Sequence, residues 1–230
     1  MALITCYECG GKVSTLATSC PHCGAPVRLD SPAGEIHDYV NLGLPSGTLW
    51  ATCNIGAYAP EKYGLYFQWG DTQGYPSDTD DGKLFDIEHC KHLNSEEEPT
   101  KYCEDDGRMS LDLEDDAAYV NWGMNWRMPS LEQFEELIDE RYTTQKLTTL
   151  NGVEGCMITS KSNGKTIFLP AAGYRSDSYF YYGGSRGYYW SRTLNSDYPY
   201  YAWDLYFSSD DVYTYDDDRT YGHSVRSVRR

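Results

Sequence analysis

No apolar run in this chain reaches the roughly 20 residues that a membrane-crossing helix needs. Basic residues are scarce: 19 Lys and Arg face 35 Asp and Glu, a formal charge of −16. The deficit is local, because residues 1–30 are neutral, residues 31–125 carry −14 and residues 126–230 carry −2. Such a field repels phosphate backbones and anionic lipid, so nucleic acid and membrane surfaces are not expected partners. No basic start and no apolar signal core precede Cys6, so a cytoplasmic location is expected. In that reducing setting Cys53, Cys90, Cys103 and Cys156 are expected to be free thiols. Nucleophile elbow, phosphate loop and zinc-protease motifs are all missing, which argues against an enzyme.

A sharper absence lies near the C-terminus. Residues 174–223 contain no Lys, Glu, Gln or Met, although those four types supply 31 of the other 180 residues. The same 50 positions hold 13 of the 22 tyrosines, with 8 Asp and 7 Ser. Tyr offers a large rigid contact area at low entropic cost, and Ser and Asp adapt their hydrogen bonds, which is the logic of antibody loops. Randomising the two adenines of a pyrimidine-ending Asn codon yields Tyr, Ser, Asp, His, Arg, Gly, Asn and Phe among others. It never yields Lys, Glu, Gln, Met or Trp. Trp190 and Trp203 cannot arise that way and are expected to be fixed scaffold.

At the other end, Cys6-Tyr7-Glu8-Cys9 and Cys20-Pro21-His22-Cys23 are two C-x-x-C units ten residues apart. Two such turns supply a closed tetrahedral S4 shell, which favours structural zinc and leaves no open position for chemistry. Cys6, Cys9, Cys20 and Cys23 are the expected ligands, with His22 outside the shell. Residues 1–30 thus read as a zinc mini-domain resembling the small zinc ribbons at the start of many bacterial proteins. Pro26, Asp30, Ser31, Pro32 and Gly34 make a turn-rich linker to a second domain over residues 36–230.

In that domain, strand-like runs recur at 48–52, 65–69, 153–158, 166–169, 188–193, 201–207, 212–215 and 224–228, with another beginning at Tyr39. Ser130 and Gln133 form a capping box for a helix whose Leu131, Phe134, Leu137 and Ile138 share one face. A shorter helix is expected over 115–120. Residues 70–114 lack any sustained period and read as loops. The expected class is α+β.

Five ordered blocks then carry a resemblance: Tyr39–Ala57, Trp122–Pro129, Phe168–Arg175, Gly187–Ser191 and Ser224–Arg229. Together they resemble the Fibrobacter-type paralogous domain, whose fold is C-type-lectin-like and related to the formylglycine-generating enzyme. The resemblance implies two helices, small antiparallel sheets and ligand contacts from the last strands and their loops. Joined to the adenine-compatible composition of 174–223, the chain resembles the variable proteins of diversity-generating retroelements in bacteria and phages. It implies a non-enzymatic protein that binds a protein or cell-surface ligand, in the cytoplasm or on a phage particle, with oligomers seen among proteins of this fold.

The expected contact set is Tyr179, Tyr181, Tyr182, Ser185, Arg186, Arg192, Asn195, Asp197, Tyr198, Tyr200, Tyr201, Asp204, Asp210, Asp211, Tyr213, Tyr215, Asp217, Arg219 and Tyr221. The alternative is a fixed structural or regulatory module whose zinc ribbon docks a partner. The formylglycine chemistry is not carried over, because it needs a late cysteine pair and no cysteine follows Cys156. Glu98-Pro99-Thr100 only faintly resembles a calcium-dependent sugar loop. His89, Cys90, His92 and Cys103 are a weaker candidate for a second metal site.

Overall fold

The computed structural model describes residues 3–5, 11–14, 17, 21–22, 37–77, 85–96 and 98–229. At the N-terminus β1 (Leu3–Thr5) and β2 (Lys12–Ser14) pair antiparallel, Ile4 opposite Val13. The first C-x-x-C falls in the connection between them. The four cysteines expected to hold zinc, and the linker at 26–35, lie outside the described residues. His22 is exposed.

From His37 onward the chain is a mixed α/β structure with few helices and several small sheets. Among the described residues its α-helices are α1 (Ala117–Trp122) and α2 (Leu131–Ile138), with three single-turn 3-10 helices between 87 and 115. Asp116 caps α1, its Oδ1 accepting the Ala118 and Tyr119 N–H groups at 2.9 and 3.0 Å. Ser130 caps α2, and the Gln133 side chain accepts the Ser130 N–H at 2.9 Å, closing the capping box. Phe134 and Leu137 point into the core, as the 3.6-residue period requires.

Three sheets surround these helices. β3 (Tyr39–Asn41) and β4 (Leu49–Ala51) pair antiparallel, and β15 (Val228–Arg229) joins the free edge of β4, so both ends of the domain meet in one sheet. β6 (Thr143–Leu150), β7 (Val153–Ser160) and β8 (Thr166–Pro170) form a meander. The largest sheet uses β5 (Tyr66–Phe67), β11 (Gly187–Leu194), β12 (Tyr201–Phe207), β13 (Val212–Asp218) and β14 (His223–Ser224) in the order β13-β12-β11-β14-β5. A hairpin of β9 (Tyr174–Ser176) and β10 (Tyr179–Tyr181) stands beside it.

The five-stranded sheet separates two apolar clusters, and neighbouring residues of β11 show the division. Tyr189 enters the cluster of Trp50, Phe134, Leu137, Leu205 and Phe207, whereas Trp190 enters that of Trp69, Tyr102, Trp122, Leu194 and Ala202. This is the two-residue strand period with both faces buried. The indole N–H groups remain satisfied: Trp69 donates to the Ser191 carbonyl and Trp190 to the Phe67 carbonyl, both at 2.8 Å. Arg226, wholly buried, donates to Asn54 Oδ1 and to the Ala51, Thr52 and Phe168 carbonyls at 2.9 to 3.1 Å. It thereby fastens the C-terminal segment to two other parts of the domain, residues 51–54 and β8.

The expected strand over 224–228 is two short strands in different sheets. The Val225 and Ser227 carbonyls accept from Ile55 and Ala51, and between them Arg226 turns inward. β6 was not expected, since its sequence TTQKLTTL offers little apolar alternation; its eight residues are ordered by pairing along β7. Among the described residues, no helix is long and apolar enough to cross a membrane.

Candidate ligand-binding face

The antiparallel register of β11, β12 and β13 assembles the site. Tyr188 lies opposite Tyr206, and Tyr206 opposite Tyr213; one step along, Trp190 lies opposite Asp204, and Asp204 opposite Tyr215. Because side chains two apart share a face, these six project to one side of the sheet. Asp217 and His223 join them.

The β9–β10 hairpin folds against the same side. Gly173 makes this approach possible: its φ is +63°, and a Cβ there would lie 2.1 Å from the Tyr181 carbonyl. Tyr174 thereby becomes the hub of the face, with ring centroids 5.2 Å from Tyr181, 4.9 Å from Tyr188 and 5.2 Å from Tyr221. Tyr188 to Tyr206, at 5.1 Å, and Tyr206 to Tyr213, at 5.0 Å, carry the ring contacts onward, and Tyr213 to Tyr215, at 6.1 Å, ends them. Tyr179 extends the row from Tyr181 at 6.2 Å.

The hubs are sunk and the ends are open. Tyr188 is buried, Tyr174, Tyr206 and Tyr221 are half-buried, and Tyr179, Tyr181, Tyr182, Tyr213 and Tyr215 are exposed. Burial pushes the Tyr174 hydroxyl up to about 12 and raises Tyr188, Tyr213 and Tyr221 as well. These four phenols are therefore neutral near pH 7 and can both donate and accept.

Tyr182 has φ 56°, a left-handed conformation in which its carbonyl accepts the N–H groups of Ser185 and Arg186. Arg186 folds back over the Tyr182 ring, 3.9 Å from its centroid. Tyr182, Ser185, Arg186 and Asp210 line an open cleft of about 560 Å³ that continues to Glu154 and Leu147. Asp210 and Asp211 stand exposed at the β12–β13 turn. A face rich in phenols and carboxylates, with Arg186 as its cation, suits a ligand that offers positive charge or many hydroxyl groups.

Not every expected contact residue belongs to this face. Arg219 is wholly buried, donating to the Lys101 carbonyl at 3.1 Å and to the Tyr102 carbonyl, with its guanidinium 4.7 Å from the Trp69 centroid. Asp204 points from the right side of β12 but is also wholly buried. Asn195 is buried as a turn former: it donates to Asp216 Oδ2 at 2.9 Å and accepts from the Asp197 and Tyr198 N–H groups. An irregularity in β11 between Trp190 and Leu194 turns Arg192 away, and its guanidinium donates to the Met128 carbonyl at 2.8 Å. Asp197, Tyr198, Tyr200 and Tyr201 are exposed. Among the described residues, however, no ring contact joins those three tyrosines to the face, and by register Tyr201 lies on the opposite side of β12 from Tyr206.

Four members of the face were not expected: Tyr174, Tyr188, Tyr206 and His223. The period from Asp204 to Tyr206 was a usable signal for the third. The others depend on strand register across the sheet. His89, Cys90, His92 and Cys103 do not converge; His92 instead approaches Asp115 at 3.2 Å, and Cys90 is buried near the Arg219 carbonyl. Cys53, Cys90, Cys103 and Cys156 are free thiols.

Residues 126–228, which include the whole face, match a family described as a domain of unknown function (DUF8237). No curated protein and no solved structure matches the chain.

Proposed function

We propose that this chain is a non-enzymatic binding protein that captures a protein or cell-surface ligand on the tyrosine face. The observation that carries this reading is the unbroken row of ring contacts from Tyr179 to Tyr215, open to solvent at both ends and flanked by Asp210 and Asp211. Exposed tyrosines in mutual contact are pre-ordered, so little side-chain entropy is lost when a partner covers them.

The C-type-lectin-like assignment is part of the proposal. Two short helices, small antiparallel sheets and domain ends that meet in the sheet of β3, β4 and β15 support it. So does the diversification reading, in which the exposed positions of 174–223 are variable and the scaffold is fixed. Trp190, which adenine substitution cannot generate, is wholly buried, and Trp203 is half-buried. At the N-terminus, zinc held by Cys6, Cys9, Cys20 and Cys23 would replace an apolar core that so short a segment cannot build.

A displayed library of random peptides, selected against the immobilised full chain, tests the binding role. Tyr181→Ala and Tyr213→Ala are expected to weaken selected binders at least about tenfold, the loss of a tyrosine hot spot. Tyr58→Ala, which removes a side chain that is 84% exposed elsewhere, is expected to have no effect. Binders indifferent to both face substitutions would refute the assignment.

A further inference from the structure

Beneath the tyrosines lies a group of side chains that the binding role does not use. Asp204 and His223 are wholly buried, and the Asp217 side chain is 19% exposed. His223 Nδ1 is 3.4 Å from Asp204 Oδ2, and its Nε2 is 3.5 Å from Asp217 Oδ2. Both exceed the 2.7–2.9 Å of a charge-assisted hydrogen bond. Accordingly, both carboxylate oxygens of Asp204 and both ring nitrogens of His223 are buried without a hydrogen-bond partner. Native proteins rarely leave such atoms unmatched, and four in one spot call for a missing partner.

The charge points the same way. Asp216 and Asp218 flank Asp217 on β13, so acids crowd this end of the strand. Among the described residues, no Lys or Arg forms an ion pair with Asp204 or Asp217. Two carboxylates desolvated beside an imidazole are costly alone and are compensated by a cation held among them.

We propose that Asp204, Asp217 and His223 form a binding site for a divalent first-row transition-metal ion, with zinc the preferred occupant. One atom from each residue can be chosen so that all three lie within 4.8 Å of one another; Asp204 faces Nδ1 and Asp217 faces Nε2, so an ion held by Asp204 and Nδ1 requires Asp217 to swing round the ring edge to join it. The 3.4 Å between Asp204 and His223 is the spacing of two ligands at about 2.1 Å on a tetrahedral ion. An imidazole between two carboxylates selects against calcium and magnesium, which take oxygen donors. Trp190 stacks on the His223 ring at 3.9 Å and fixes its plane. Three protein ligands leave a further coordination position, and of the three only Asp217 reaches solvent. The ion would tie β12, β13 and β14 together under the face, whatever ligand the tyrosines bind.

Cobalt(II) titration of the full chain separates this site from the four-cysteine set, because only thiolate ligation gives intense near-ultraviolet charge-transfer absorption. The wild-type chain is expected to bind one equivalent beyond those reporting thiolate. Asp204→Asn and His223→Gln are expected to lose that equivalent alone, keeping the thiolate signal. Asp217→Asn, altered at the rim and retaining its circular dichroism, is expected to bind it at least about tenfold more weakly. Equal non-thiolate uptake by wild type and a folded Asp204→Asn chain, or none by wild type, would overturn the assignment.

Discussion

Arg219 and Tyr213 lie six residues apart in the tyrosine-rich segment, yet the structure gives them opposite roles. Arg219 reaches inward to the carbonyls of Lys101 and Tyr102 and lies over Trp69. In Arg219→Met a side chain of similar length fills the space but donates no hydrogen bond. Two acceptors in the interior then lose their donor, at about 1–3 kcal/mol each. The lost cation–π contact adds about 1 kcal/mol. Against this, burial of the guanidinium is itself unfavourable, lowering its pKa to about 10, and removing it returns part of the loss. The net expectation is a destabilisation of about 3 kcal/mol, a large share of the 5–15 kcal/mol that holds a typical domain together. Tyr213 is 42% exposed and rests on the edge strand, so Tyr213→Ser should cost under about 1 kcal/mol. Urea unfolding of the full-length variants, followed by tryptophan fluorescence, measures both. If Arg219→Met unfolds within 1 kcal/mol of wild type, or Tyr213→Ser is as damaging, the division into scaffold and contact residues is wrong.

Two further outcomes follow from the interior. Burial alone would raise the Asp115 carboxyl, but Lys101 at 2.7 Å, Lys91 at 2.5 Å and the Tyr102 hydroxyl at 2.5 Å hold it well below the usual carboxylate range. A folded pKa below the unfolded value near 3.9 means that this contribution is complete above that pH and is lost as pH falls through the folded value. The melting temperature should therefore drop steeply below about pH 4, and less steeply in Asp115→Asn. Burial pushes the Cys90 thiol up to about 11 and the Cys156 thiol up to about 12. Peptide-resolved thiol labelling of the native chain at pH 7 should modify the half-buried Cys53 and Cys103 and spare Cys90 and Cys156 until denaturant is added.

Local signals were legible where one residue's neighbours in sequence are also its neighbours in space. The Ser130 and Gln133 box marked the start of α2, and alternation marked β12 at its observed bounds. The shorter helix expected over 115–120 lies at Ala117–Trp122, with Asp116 as its cap rather than within its first turn. Long-range pairing was not legible. Tyr174 reaches the face only because Gly173 admits the hairpin, and Tyr188 only because β11 pairs with β12 in a particular register. Composition also cannot separate an arginine that meets solvent from one that satisfies two carbonyls, which is why Arg219 read as a contact residue. Asp204 shows the reverse: its face was right and its depth was hidden, since β14 brings the buried His223 against it.

The most direct measurement is deep sequencing of the 3′ end of the gene across a population of cells carrying it, together with the surrounding DNA. The account predicts a reverse transcriptase nearby and a near-copy of the segment, with differences confined to adenines. Variation should fall on codons for exposed residues such as Tyr179, Tyr181, Tyr213 and Tyr215, and spare Trp190, Trp203 and Arg219. A segment without such a copy, or with substitutions spread evenly over buried and exposed codons, would contradict it.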